Sequence, residues 1–279
     1  RVCELFGFDK VLPMNSGAEA VETSLKLCRK WAYKTKGIPQ NEAKIIFAKN
    51  NFHGRTLSII SASTDPTATE NYGPYMPGFI LVDYNNLDAM KTALNEPNVA
   101  GVIIEPVQGE AGIVVPDPGY LKAVRDMCAD RNILFIADEV QTGLARTGKL
   151  LAICGNCTCE NKCENNYEIK PDVLILGKAL SGGIMPVSAV LANNDIMLVI
   201  EPGTHGSTYG GNPLACAVSV EALNVIEDED LAGNAKRLGI IFRNKMQELV
   251  DQSELVVKVR GKGLLNAIII NDSEKGKLV

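Results

Sequence analysis

The sequence predicts an α/β fold, with a mostly parallel sheet flanked by helices and the start of a smaller C-terminal α/β unit behind it. Three observations carry this. Short runs rich in branched apolar residues alternate with stretches of helical periodicity. Several of those runs are apolar at consecutive positions, as strands covered on both faces are. Two of them, residues 133–138 and 173–177, stop abruptly at or just before a charged residue, Asp138 and Lys178.

The elements follow in order. Residues 16–35 read as a helix: Ser16 and Glu19 make a capping-box pattern, and Val21, Leu25, Cys28 and Ala32 share one face. Residues 44–48, 79–82 and 101–105 read as strands, as do 133–138, 173–177 and 187–192. Between them, residues 87–94 and 120–131 have helical periodicity. After Asn212-Pro213 the character changes, with two helices (214–226, 231–250) and then two strands (255–260, 263–270). The expected division is a large unit at residues 1–213, carrying a cysteine-rich insertion at 152–169. Residues 214–279 then form connecting helices and an incomplete C-terminal domain.

Composition narrows the function. A chain of 279 residues can bury a substantial core. Its net charge of −5, with no basic block, argues against nucleic acid, and no apolar run is long enough to span a bilayer. The first residues carry neither an initiator Met nor a signal-peptide profile, and the last follow a strand with no closing element. The chain therefore reads as an internal piece of a longer protein. Of eight cysteines, Cys28, Cys128 and Cys216 fall in apolar helical patterns, where a free thiol is a small core residue. This is not a secreted disulfide framework, and an intracellular compartment is expected.

The chemistry centres on Lys178, in Gly177-Lys178-Ala179-Leu180-Ser181-Gly182-Gly183. A strand that delivers one amine into a crevice suits Schiff-base chemistry, since desolvation lowers a lysine's pKa and frees the nucleophile. Asp138 ends a second strand in the same way. A lysine for an aldehyde cofactor and a carboxylate for a pyridinium nitrogen are what pyridoxal phosphate requires. Gln141, three residues on, could reach the cofactor's ring oxygen; the plainer reading of Asp138 is a helix cap or turn.

Other segments are weaker alone. Ser16-Gly17-Ala18 opens a helix and exposes N–H groups that suit a phosphate, as any capped helix does. Phe52 could stack on a planar ring and Arg55 could clamp a carboxylate, or they could be a core Phe and a surface Arg. Glu105 and Glu110 could bind amines or pair with arginines, or simply sit in a surface turn. The loop around His205, Ser207 and Thr208 offers hydroxyls and N–H groups to a phosphate. With two histidines, His53 and His205, a Ser-His-Asp hydrolase is poorly supported. Cys154, Cys157, Cys159 and Cys163 could bind zinc, form a redox-sensitive disulfide or be inert thiols peripheral to the chemistry.

Taken together, the order and spacing of these motifs resemble the class III aminotransferases of the pyridoxal-phosphate-dependent fold type I superfamily. The resemblance covers nearly the whole chain outside the cysteine insertion. It rests on residues 51–58, 105–119, 135–148, 176–183, 186–197, 202–214 and 259–267, and within the class it is greatest to the members that act on L-ornithine. It implies that Lys178 holds pyridoxal 5'-phosphate and shuttles the proton. Asp138 would hold the pyridinium, Gln141 the ring oxygen and Phe52 the ring face. Gly17 and Ala18 would donate to the phosphate, and Ser207 and Thr208 would reach the phosphate of a partner subunit in a homodimer. Arg55 would bind the α-carboxylate with Glu105 close to the substrate. Glu110 would pair with an arginine of the C-terminal domain that lies beyond this chain.

The implied reaction moves the δ-amino group of L-ornithine to 2-oxoglutarate, giving glutamate 5-semialdehyde and glutamate. Acetylornithine or 4-aminobutyrate as amine donor, or a catalytically incomplete fragment, are the alternatives. The family works in the cytoplasm of some organisms and the mitochondrial matrix of others.

Overall fold

The structure, a computed structural model, describes residues 1–156 and 169–271. Its centre is a seven-stranded sheet built from β1 (Lys10–Met14), β2 (Lys44–Ala48), β3 (Phe79–Val82), β4 (Val99–Ile104), β5 (Leu134–Asp138), β6 (Val173–Leu176) and β7 (Ser188–Ala192). Their order is β1-β7-β6-β5-β4-β2-β3. The four pairings from β3 to β6 are parallel, and β7 runs antiparallel to both β6 and β1. The expected mostly parallel sheet is thus present, with an antiparallel turn at one end.

Residues on β4, β5, β6 and β7 are buried at every position. Successive side chains on a strand point to opposite faces, so each strand feeds two cores. Leu134 and Ile136 of β5 join Val21, Leu25, Cys28 and Trp31 of helix α2 on one face. Phe135 and Ala137 join Met90, Leu121 and Val124 on the other. By the same alternation Asp138, and Glu105 just past β4, fall on the α2 side.

Helix α1 spans Val2–Phe6 and α2 spans Gly17–Trp31, the latter followed by one wide π turn over Ala32–Lys36. The capping box forms as expected: Glu19 N donates to Ser16 Oγ at 3.2 Å, and Ser16 N to Glu19 Oε2 at 2.7 Å. Short α3 (Leu57–Ile60) and α4 (Pro66–Thr69) precede β3; α5 (Leu87–Leu94) and α6 (Tyr120–Ala129) cover the opposite face; α7 (Asn194–Met197) follows β7. Then come α8 (Pro213–Asp228) and α9 (Leu231–Gln252), and a hairpin of β8 (Val256–Lys262) and β9 (Leu265–Ile270) that packs on α9.

Two readings change. Strand β1 escapes the sequence pattern because it carries Pro13, which is tolerated here at the sheet edge. Cys216 is exposed, unlike the fully buried Cys28 and Cys128. The buried stripe of α8 runs through Ala215, Ser219, Leu223 and Ile226, and Cys216 is one position off it. No described helix is long and apolar enough to cross a membrane.

Candidate active site

The parallel strands carry their carboxyl ends to one side, where open α/β sheets bind ligands. Asp138 closes β5, and Lys178 follows the neighbouring β6 by two residues. Gly177 is extended there (φ −171°), and Lys178 sits in left-handed backbone at φ 36°, opening a short 3-10 turn over Lys178–Ser181. A lysine held in that region costs of the order of 1–3 kcal/mol, strain that clusters at functional sites.

A cavity of about 190 Å³ lies between these strand ends and the start of α2. Gly17, Ala18, Phe52, Glu105, Asp138, Gln141 and Lys178 line it, together with His53, Gly54, Val140 and Thr142. Seven of the residues singled out in the sequence therefore meet at one place. Lys178 also borders a wider groove of about 1070 Å³ walled by Ile184, Ala222, Val225 and Leu264. Standing at that junction, its side chain is exposed rather than desolvated, which corrects the expectation of a buried amine.

Asp138 is buried, and the chain itself supplies a partner for its carboxylate. His53 Nδ1 lies 2.6 Å from Asp138 Oδ2, while Asp138 Oδ1 accepts the Val140 N–H at 3.1 Å. The turn reading of Asp138 thus holds, and its other oxygen is taken within the chain by His53. Burial opposes a charge on His53, but the hydrogen bond and charge of Asp138, aided by Glu105, carry the imidazole above its ordinary value. The sequence reading gave His53 no part in the site; its place beside Phe52 in Asn51-Phe52-His53-Gly54-Arg55 was the available signal.

Glu105 is buried and not a surface-turn residue. It accepts from Phe52 N at 3.1 Å and Gly109 N at 3.3 Å, and so fixes the loop that carries Phe52. Burial pushes its carboxyl up to about 7; the Asp138 charge adds to this and His53 opposes it. Glu139, the next residue after Asp138, is also raised to about 7 by burial. It accepts from Thr142 Oγ1 and, at 2.8 Å, from Ile153 N.

Four of the expected site residues, Arg55, Glu110, Ser207 and Thr208, lie outside the cavity wall. Arg55 is exposed, with its guanidinium 6.0 Å from the centre of the Phe52 ring. Glu110 is exposed and accepts from Gln141 Nε2 at 3.2 Å, so Gln141 is engaged by a carboxylate within the chain. Ser207 accepts from Asn15 Nδ2 at 2.8 Å, next to the start of α2, and Thr208 is exposed. Cys154 is buried, with its thiol pushed up to about 12 by burial, while Cys157, Cys159 and Cys163 lie outside the described residues. Among the described residues no cluster of three or more His, Cys, Asp or Glu could hold a metal.

The cavity walls suit a flat pyridine bearing an aldehyde and a phosphate. They offer an amine, a carboxylate one strand over and an aromatic ring. Opposite these is a helix end whose Gly17 and Ala18 N–H groups precede the first intrahelical bond, Ala20 N to Ser16 O. Gly17 is required by space: a Cβ there would lie 2.8 Å from Val140 Cγ1.

Comparison with known proteins agrees. Aminotransferase class-III matches residues 1–279. The mitochondrial ornithine aminotransferase of Drosophila melanogaster is 59% identical over 271 residues, 97% of this chain and 60% of that protein. The crystal structure of ornithine aminotransferase from Toxoplasma gondii ME49 matches with TM-score 0.92 at 50% identity, covering 98% of this chain and 62% of that one. Acetylornithine aminotransferase from Elizabethkingia anophelis matches with TM-score 0.83 at 56% identity, covering 97% and 64%. The chain spans about three-fifths of the length of these relatives. Its fold, its strand-end lysine and carboxylate, and this likeness along its full length converge, and the chain belongs to the class III aminotransferases, a pyridoxal-phosphate-dependent family.

Proposed function

We propose that the protein transfers the δ-amino group of L-ornithine to 2-oxoglutarate, giving glutamate 5-semialdehyde and glutamate. The observation that carries this is the pairing of Lys178 and Asp138 at adjacent strand ends on one cavity, in a chain 59% identical to an ornithine aminotransferase. Pyridoxal phosphate, when bound, supplies the electron sink that lets a proton leave the carbon beside the amine.

The chain's residues do the rest. Lys178 Nζ would hold the cofactor at its aldehyde carbon and would serve as the group that moves the proton beside the substrate amine. Asp138, kept in place by His53 and the Val140 N–H, holds the pyridinium proton. Phe52 covers the ring face, and Gln141 contacts the ring oxygen. Gly17 and Ala18 donate to the phosphate. Ser207 and Thr208 reach the phosphate of the neighbouring subunit, which makes the working protein a homodimer. Arg55 binds the α-carboxylate, Glu105 stands close to the substrate, and Glu110 pairs with an arginine of the C-terminal domain. In this reading residues 1–213 form the cofactor domain and 214–279 begin the smaller one. The enzyme works in the cytoplasm or the mitochondrial matrix.

The likeness to the Elizabethkingia acetylornithine aminotransferase supports a second reading, with the acylated diamine as donor. Initial rates with 2-oxoglutarate and either L-ornithine, N-acetylornithine or 4-aminobutyrate decide between them. Ornithine is expected to give the highest kcat/KM; a clear preference for the acetylated donor would move the assignment to the second reading.

A further inference from the structure

The loop at residues 201–212 is strapped along one side of α2 and the π turn that follows it by three basic side chains. Lys34 pairs with Glu201, Lys30 Nζ donates to Thr204 Oγ1 at 3.1 Å, and Lys26 Nζ lies 2.9 Å from His205 Nδ1. On its other side, His205 Nε2 is 2.8 Å from Thr23 Oγ1, and Thr23 is buried. A lysine ammonium only donates, so Nδ1 must accept and the ring proton must sit on Nε2. Thr23 Oγ1 can receive that proton because its own hydrogen goes to Glu19 O at 2.7 Å. The three contacts are mutually consistent for one species alone, neutral imidazole with the proton on Nε2. Two residues further on, Ser207 takes the Asn15 amide beside the start of α2.

We propose that His205 is a positioning residue, a neutral clamp that pins the 201–212 loop to α2, and that its protonation frees the loop and weakens the hold of Ser207 and Thr208 on the cofactor phosphate. The last part rests on the phosphate role given to those two residues above. A protonated ring would point an N–H at the Lys26 ammonium, losing the hydrogen bond and adding repulsion.

Among the described residues no charge facing the ring compensates. Glu19 turns its carboxylate to the backbone of Asn15 and Ser16, Glu22 accepts from Thr56 and Ser58, and Glu201 and Lys30 are engaged within the same strap. Burial and the Lys26 charge both hold His205 below its ordinary value. The sign follows: the clamp contributes fully above the pKa of a free imidazole and weakens as pH falls from there toward the lowered value of the clamped ring.

The test uses the holoprotein with selectively ¹⁵N-labelled histidine, the His205 signals being those lost in His205→Gln. The proposal expects the Nε2–H tautomer at neutral pH. It expects a midpoint below that of a free imidazole that rises in Lys26→Met, where the facing charge is gone. Hydrogen exchange across residues 201–212 should accelerate below the midpoint, and pyridoxal 5'-phosphate release should quicken about tenfold. Lys26 is exposed, so Lys26→Met tests the clamp even if His205→Gln does not fold. An Nδ1–H tautomer, a midpoint indifferent to Lys26, or loop exchange that ignores pH would overturn the clamp. Loop exchange that follows His205 while cofactor release does not would overturn the link to Ser207 and Thr208.

Discussion

His53 Nδ1 stands 2.6 Å from Asp138 Oδ2, inside the wall of the cavity that Lys178 faces. Asp138 is therefore oriented by the loop that also presents Phe52, so the residues proposed to stack on the ring and to hold the pyridinium are set by one segment. A hydrogen bond to a charged group contributes about 1.5–3 kcal/mol. His53→Ala should weaken retention of pyridoxal phosphate by about tenfold to a hundredfold. His53→Asn, whose amide nitrogen replaces Nδ1, should recover much of the loss. Equal weakening in both variants would mean that the ring's bulk matters and its hydrogen bond does not.

Glu139 gives a stability prediction with a definite sign. Its carboxyl is raised from 4.5 to about 7 by burial, so the folded chain holds this proton more tightly than the unfolded one. Its contribution is complete below pH 4.5 and shrinks as pH rises toward 7. Glu105 acts in the same direction over the same interval. His53, raised as well, contributes below the unfolded value and loses that contribution as pH climbs through the folded one. In Glu139→Gln the amide can still accept from Ile153 N and donate to Thr142 Oγ1, without the buried charge. Relative to the unaltered chain, the variant should gain melting temperature on going from about pH 5 to about pH 8. Identical shifts at both values would contradict the assignment.

Gly17 packs against Val140 where the start of α2 meets the turn after β5. Gly17→Ala would bring a Cβ to 2.8 Å from Val140 Cγ1 and should destabilise by about 1–3 kcal/mol. Val140→Ala opens that space, so the double variant should recover most of the loss; a chemical-denaturation cycle measures the coupling. Additive losses would show that the two side chains do not meet.

At the centre of the sheet, Phe135 is fully buried among Val102, Leu174 and Val124. Phe135→Ala should cost about 3–5 kcal/mol in unfolding free energy, read from urea melts. A cost under about 1 kcal/mol would place Phe135 outside a packed core.

These residues also show how much of the molecule was legible in its sequence. Strands β4 to β7 announced themselves because both faces are covered, which forces consecutive apolar residues, and β2 and the edge strand β3 showed as shorter apolar runs. Strand β1 did not, since an edge strand with Pro13 satisfies neither the periodicity nor the propensity of a covered one. Asp138 and Lys178 stood out as polar residues ending apolar runs, and their neighbouring strand positions follow from a parallel sheet. His53 was invisible for the opposite reason: its partner is 85 residues away, and only the fold brings the two together. The exposure of Lys178 was equally out of reach, because it depends on the gap between the strand ends and α8.

Lys178 is the residue proposed to take the cofactor. The direct test is to incubate the protein with pyridoxal 5'-phosphate, reduce with borohydride, digest and map the modified peptide by mass. The expected result is one phosphopyridoxyl group, on the peptide containing Lys178, that disappears when L-ornithine is added before reduction. Labelling at another lysine, or labelling that persists in Lys178→Ala, would contradict the central assignment.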